Sequence, residues 1–363
     1  MRIGIDATPL SGRITGIGRY VLQIICELDE KLPEAEFFLY SHTALVVDLP
    51  SSRWVSRVGG WRFPSSYFWL KRYISKHCEL DNIDVFWASR TLALHKRRNL
   101  KIKILSTIYD LNYLLFPGSM PGLTRLAHRL WYVADVSSAD ARVAISAGTA
   151  SRLQKELGIL TDAIARPGVT SPFGPQDKAA SAAHLRDLGV EKPYFLAVGT
   201  LEPRKNLETL LHAFVRGKQK GGLLGYQLLL VGAPGWKNRR LKGLLEEAKT
   251  QGVRWLGYVS DEQLACLYAA AEAFVFPSRY EGFGIPALEA RTCGARVLAT
   301  DIPEIREAGG EDAVYVPPTV EGFEAGFDTV LARPRPAACP APGWHEAAEV
   351  MAAELRRLAA LSG

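Results

Sequence analysis

The strongest constraint in this chain is a rhythm. Short apolar runs, "RIGID" (2–6), "EFFLY" (36–40), "DVFWAS" (84–89), "IKILSTIYD" (102–110) and "ARVAIS" (141–146), alternate with longer stretches of helical periodicity. After a break the rhythm restarts with "YFLAVGT" (194–200), "YQLLLVG" (226–232), "VRWLGYV" (253–259), "AFVFPS" (273–278) and "ARVLAT" (295–300). Strands joined through helices pair in parallel and carry helices on both faces. The pattern predicts an α/β chain of two Rossmann-like, doubly wound domains facing a central cleft. In such sheets ligands meet the loops at the carboxyl ends of strands.

The break, "GVTSPFGPQDKAASAAHL" (168–185), gathers prolines, glycines and serines and reads as a linker. It separates a first domain over 1–172 from a second over 190–343. Within the second, Asp261 is the expected cap of the helix that carries Leu264, Leu267 and Tyr268. Pro334, Pro336, Pro340 and Pro342 keep "RPRPAACPAPG" (333–343) irregular, ahead of a final helix from about Trp344 to Leu361. A length of 363 residues at 48% hydrophobic content can fill two cores. The opening "MRIGIDATPL" enters a strand pattern at once, leaving no room for a signal peptide, and no apolar run is long enough to span a bilayer. Five cysteines (Cys26, Cys78, Cys266, Cys293, Cys339) without CxxC spacing suggest reduced, mostly buried thiols in the cytoplasm. A net charge of +6 points to a polyanionic partner, whether phosphate, anionic lipid or nucleic acid.

Four loops at predicted strand ends carry the chemistry. In "SRYEGFGIPALEA" (278–290), Glu281 and Glu289 flank a loop containing Gly282, Phe283 and Gly284, and Pro286 marks a helix start. Glycines let backbone N–H groups approach a ligand, and a helix N-terminus adds partial positive charge, which together suit a diphosphate. Glu289, expected in the first helical turn, can accept hydrogen bonds from ribose hydroxyls, while Glu281 can reach a sugar. The plainer alternative is one acid on a helix dipole and one in solvent. "GTLEPRKNLETLL" (199–211) sets Arg204 and Lys205 side by side, with Asn206 as the helix cap. Two cations at a helix start suit a departing pyrophosphate, although exposed basic loops are common. "DATPLSGRITGIGRYVLQII" (6–25) places Gly16, Gly18 and Arg19 between the first strand and its helix, as a flexible loop or a lid over phosphates. "STIYDLNYLLFP" (106–117) ends a strand on Tyr109 and Asp110, which face a ligand or, for Asp110, cap a turn.

No GxxxxGK[ST], HExxH or GxSxG motif occurs, and no Asp-x-Asp pair stands ready for a divalent ion. The charge of a diphosphate would then fall to Arg, Lys and backbone amides.

Taken in order, "IDATPLSG…TGIGRY", "VAIS", "VGTLEPRKNL", "LLLVG" with "GWKN", "GYVSDEQLACLYAAAEAFVFPSRYEGFGIPALEA" and "GARVLATDIPEIREAGGEDAVYVPP" resemble the family 4 glycosyltransferases of the GT-B fold, particularly their bacterial mannosyltransferase-like branch. The resemblance implies retaining, metal-independent transfer from a nucleoside diphosphate sugar, with GDP-mannose favoured as a substrate and no cofactor. It places Glu281 near the donor sugar and phosphate, Glu289 on the ribose, and Arg204 and Lys205 on the diphosphate. It also implicates the amides of Gly282, Phe283 and Gly284, the Gly16–Gly18 loop, and the main chain near Val259 as a grip on the base. The first domain becomes the acceptor domain and the second the donor domain, with residues 344–363 packing back on the first. Tyr109 departs from the pattern, because many members carry a histidine there against the donor sugar. Asp110 is carried over beside it.

For the acceptor, "WRFPSSYFWLKRYISK" (61–76) interleaves Trp61, Phe63, Tyr67, Phe68 and Trp69 with Arg62, Lys71, Arg72 and Lys76, and "HKRRNLKIK" follows at 95–103. Such a surface could rest on anionic lipid, or be a partly buried helix with a basic outer face. The expected function is hexose transfer, best mannose, to a glycan or polyprenyl-linked glycan in cell-surface polysaccharide synthesis such as that of lipopolysaccharide. The expected place is the cytoplasm, at the periphery of the inner membrane face, with no nucleic-acid partner. Two rivals stay open: a nucleotide-sugar epimerase of the same shape, and a nucleotide-sugar-binding regulatory subunit whose catalysis has lapsed.

Overall fold

A helix follows nearly every strand in the computed structural model, which describes residues 1–12, 14–59, 66–94, 101–120, 122–191, 193–235 and 239–362, and every strand pairing in it is parallel. The chain divides into two units, Met1–Gly168 with Gly343–Gly363, and Val169–Pro342.

The first unit holds strands β1 (Arg2–Asp6), β2 (Glu36–Ser41), β3 (Trp54–Val58), β4 (Val85–Ala88), β5 (Lys103–Ile108), β6 (Ala141–Ala144) and β7 (Ala163–Ile164), in the order β3-β2-β1-β4-β5-β6-β7. Its helices are α1 (Gly16–Lys31), α2 (Ser66–Arg72), α3 (Ile74–Leu80), α4 (Asn112–Leu115), α5 (Gly122–Ser138) and α6 (Ala147–Leu157). The central strands are buried on both faces, which is why they read as continuous apolar runs. Edge strand β3 alternates buried and open residues and escaped sequence reading, as did two-residue β7.

The second unit holds β8 (Tyr194–Val198), β9 (Gln227–Val231), β10 (Val253–Gly257), β11 (Ala273–Phe276), β12 (Val297–Thr300) and β13 (Val314–Val316), in the order β10-β9-β8-β11-β12-β13. Its helices are α7 (Lys178–Asp187), α8 (Leu207–Gln219), α9 (Arg239–Ala248), α10 (Asp261–Ala270), α11 (Ile285–Thr292), α12 (Pro303–Gly309) and α13 (Val320–Ala332). One face packs Phe195, Phe214 and Phe327 into a shared aromatic core.

Several local expectations need correction. The stretch read as a linker is irregular only to residue 177. From there Asp177 caps α7, its carboxylate accepting from the N–H groups of Ala179 and Ala180 at 2.9 and 2.8 Å. Helix α10 is capped by Ser260 rather than Asp261: Ser260 Oγ accepts from Gln263 N at 3.2 Å, and the Gln263 side chain accepts from Ser260 N at 3.1 Å. Cys78, Cys266 and Cys293 are buried, but Cys26 is exposed. In the aromatic and basic stretch, Trp61, Arg62 and Phe63 lie outside the described residues, as do residues 95–100 and 236–238. Of the rest, Trp69 is buried, and Lys71 turns inward to bond Asp135. Helix α2 therefore does not present that lysine as part of a basic outer face.

The C-terminal helix (Trp344–Ala360) belongs to the first unit. It buries Trp344, Ala347, Ala348, Met351, Leu355 and Leu358, a stripe at three- and four-residue spacing. Trp344 meets Tyr20 of α1 edge-on at 5.5 Å, and Tyr20 Oη donates to Ala165 O at 3.1 Å. Replacing a buried tryptophan with alanine costs roughly 3–5 kcal/mol. W344A should accordingly lower the unfolding free energy of the first unit by an amount of that order, read from chemical unfolding.

Candidate active site

The order of the second sheet reverses between β8 and β11. At such a reversal the loops following the two strands leave in opposite directions, and a binding crevice opens at the strands' carboxyl ends. The loop after β8 carries Arg204 and Lys205 on a 3-10 turn, Pro203–Lys205, and the loop after β11 carries Glu281. The three side chains meet there. Arg204 Nη1 donates to Glu281 Oε2 at 2.7 Å and to Tyr280 O at 2.8 Å, and Lys205 Nζ donates to Glu281 Oε1 at 2.6 Å.

Burial works against the Glu281 carboxylate, yet Arg204 and Lys205 hold its pKa down at about 2. Burial also lowers the Lys205 pKa, with Glu281 working against that shift. Sequence reasoning missed a fourth member. Glu202, 7% exposed, accepts from Arg204 Nη2 at 2.8 Å. Two cations thus face two carboxylates, so the cluster is charge-balanced rather than simply cationic. Arg204 is fixed by three acceptors, whereas the Lys205 ammonium has three hydrogens and only one hydrogen-bond acceptor among the described residues. Its stem crosses Gly199, where a Cβ would come within 3.3 Å of it, and its nitrogen lies 5.4 Å from the Phe276 ring centroid. The spare donors of Lys205 are the cluster's free capacity for an anion.

Around this cluster, Gly282 is half-buried and Phe283 buried. Gly284 takes a left-handed φ of 107° at the N-terminus of α11. Glu289 sits in the second turn of α11 rather than the first; it is buried and accepts from Tyr268 Oη at 3.2 Å. Asn206 occupies the cap position of α8, but its side chain accepts from Thr209 Oγ1 and Arg279 Nε instead of a helix N–H. Val259 is buried just after β10, in the loop leading to α10.

The remaining candidates belong to the first unit. Its sheet reverses between β1 and β4, and there Asp6, fully buried at the end of β1, accepts from Arg90 Nε at 2.7 Å and from Thr8 Oγ1 at 2.7 Å. Neither Asp6 nor Arg90 was singled out by sequence reasoning. A carboxylate closing an otherwise apolar strand was the available signal. Gly16 and Gly18 are already inside α1, not in a loop before it. Gly16 is exposed, and a Cβ on Gly18 would lie 2.6 Å from Pro9 O, so glycine at 18 serves close packing. Asp110 Oδ1 accepts from Asn112 N at 3.0 Å, the turn-capping role. Tyr109 is buried edge-on against Tyr20 at 5.4 Å, and its hydroxyl has no hydrogen-bond partner among the described residues. Burial, with Tyr20 and Asp6 adding to it, raises the phenol pKa well above its usual range, so Tyr109 stays neutral.

Residues 185–339 match the family model described as glycosyl transferases group 1. The second unit is a group 1 glycosyl transferase domain. Among curated proteins, the chain is similar to the O-antigen chain mannosyltransferase B of Escherichia coli, 43% identical over 126 residues (34% of this chain, 33% of that protein). The serotype-specific mannosyltransferase WbdA of Escherichia coli is 32% identical over 213 residues, 55% of this chain and 25% of that protein. The matched segments therefore span about a third or less of these relatives' lengths. Among solved structures, sucrose-phosphate synthase from Thermosynechococcus elongatus shares the fold with a TM-score of 0.71 at 20% identity, covering 98% of this chain and 94% of that one. Both units of the chain, the transferase domain and the one before it, thus follow the GT-B pattern of two Rossmann-like sheets.

In this transferase domain the Glu281 cluster predicts an acid-sensitive stability. A carboxyl lowered from an ordinary value of about 4.3 contributes stability above that pH and loses it as pH falls through the folded value. E281Q places an amide against two cations and should cost about 3–5 kcal/mol at neutral pH. The gap between wild type and E281Q, measured by chemical unfolding, should narrow as pH falls from about 5 toward 2.

Proposed function

We propose that this protein transfers a hexose, best read as mannose, from a nucleoside diphosphate sugar such as GDP-mannose to a glycan or polyprenyl-linked glycan in cell-surface polysaccharide synthesis. The observation that carries the proposal is the convergence of Arg204, Lys205 and Glu281 at the reversal point of a group 1 glycosyl transferase domain. The O-antigen mannosyltransferases among its relatives support the sugar and the pathway class.

The residues present can perform the leaving-group chemistry. As the glycosidic C–O bond to the diphosphate breaks, negative charge grows on the departing phosphate oxygen. Lys205 turns spare N–H donors to that oxygen, and Arg204, held rigid by Glu202, Tyr280 and Glu281, fixes the electrostatic frame. The N-terminus of α11 contributes further partial positive charge. In this reading the acceptor hydroxyl attacks from the face the phosphate leaves, that oxygen takes its proton, and the anomeric configuration is retained without a metal. Glu281 keeps Lys205 protonated and in place.

The donor is tested by melting the protein with a panel of nucleoside diphosphates. A shift with the guanine nucleotide above all others supports GDP-mannose, and a shift with none sinks the proposal. K205A should lower kcat by about 10²-fold while changing donor KM far less, because its contact strengthens in the transition state. An equal loss in both would assign Lys205 to ground-state binding. Y109F should leave the melting temperature unchanged or raised, since it deletes a buried hydroxyl that has no hydrogen-bond partner among the described residues. Donor turnover without any acceptor would favour the epimerase instead.

A further inference from the structure

Helix α5 turns a row of its apolar residues outward. Leu123, Leu126, Leu130 and Val133 lie on one arc of the helix and remain between 47% and 57% exposed. The inner face is already filled by Ala127, Tyr132 and Val136, so this ridge is not a second core stripe. It runs for roughly 15 Å along the helix axis. Phe68 of α2, 45% exposed, meets Trp131 of α5 edge-on at 5.6 Å and widens the patch, and Leu114 of neighbouring α4 is 42% exposed.

The charges around the ridge have a single sign. Arg125 and Arg129 are exposed on one flank of α5, and Arg72 lies one turn beyond Phe68 on α2. The sole carboxylate of α5, Asp135, is buried, where it bonds Lys71 and accepts from Ala93 N at 3.1 Å. The outward face of α5 therefore presents hydrocarbon and guanidinium and no anion. A second copy of the chain could cover the leucines, but a two-fold contact would set this patch, with its arginines and no carboxylate on α5's outward face, against the same patch of the partner. An anionic lipid surface satisfies both features, taking the aliphatic side chains at the acyl boundary and the guanidinium groups among its phosphates.

We propose that the α5 face, with Phe68, Arg72 and Leu114, is a docking surface for anionic membrane lipid. The assignment stands on surface chemistry and does not rest on the transferase reading; combined with that reading, it selects a lipid-linked acceptor. The full chain should sediment with phosphatidylcholine vesicles containing phosphatidylglycerol, less with phosphatidylcholine alone, and less again in high salt. L126E/L130E should lower partitioning onto the anionic vesicles at least about tenfold without changing the melting temperature, because both positions are solvent-facing. R125E/R129E should abolish the preference for anionic over neutral vesicles while leaving the apolar ridge intact. Sedimentation of the wild type that is absent, or equal on both vesicle types, overturns the proposal. So does L126E/L130E binding like the wild type, or a wild-type dimer that this variant splits and that has no vesicle affinity.

Discussion

A carboxylate buried at the end of an apolar strand stays ionised only if the fold brings cations to it. At Glu281 two arrive from another strand, on a loop whose own shape is set by close packing. Gly232, with φ 145°, lies so near this loop that a Cβ there would come within 2.1 Å of Gly199 O, and a Cβ on Gly235 would come equally close to Leu201 O. The Gly199–Asn206 segment is thereby pinned between the ends of β9 and β11, and Arg279 N donates to Arg204 O at 3.0 Å to tie the two loops directly. The ion cluster and the sheet order are one construction, since moving either strand would leave an uncompensated buried charge.

That construction has a chemical consequence. A charge-balanced cluster is stable without a ligand, yet it holds Lys205 with donors to spare among the described residues while both terminal nitrogens of Arg204 are engaged by Glu202, Tyr280 and Glu281. An incoming diphosphate need not pull apart the Arg204 contacts to find a cation. Electrostatic preorganisation of this kind avoids reorganising the site as charge develops, which is what the proposed transfer calls for.

The two units repeat one architectural idea with different chemistry. Each sheet reverses beside its first strand, and each places an acid–base ion pair at that reversal, Asp6 with Arg90 in one and Glu281 with Arg204 and Lys205 in the other. In the first unit Asp6 is tied down by Thr8 as well as Arg90, and Arg90 also reaches Ser66 and lies over the Tyr67 ring. The pair braces the loops after β1 and β4, and just past β5 lies the hydroxyl of Tyr109, which has no hydrogen-bond partner among the described residues.

Strands that are buried on both faces announce themselves as apolar runs, so most of the ten principal strands, the parallel sheets, the loops bearing Arg204, Lys205 and Glu281, and the helix bearing Glu289 were legible in the linear chain. Edge strand β3 and short β7 and β13 were not, because an edge alternates and three residues carry no period. Local chemistry misled where two readings share a composition: Ser260 beat Asp261 for a cap, and Gly16 and Gly18 lie inside α1 rather than in a loop before it. Only the tertiary structure could show that Glu202 completes the cluster, that Lys71 is turned inward, and that the open apolar face belongs to α5. Those facts depend on which side of an element meets a neighbour distant in sequence, and residue order alone encodes the periodicity of a face but not the partner that covers it or leaves it bare.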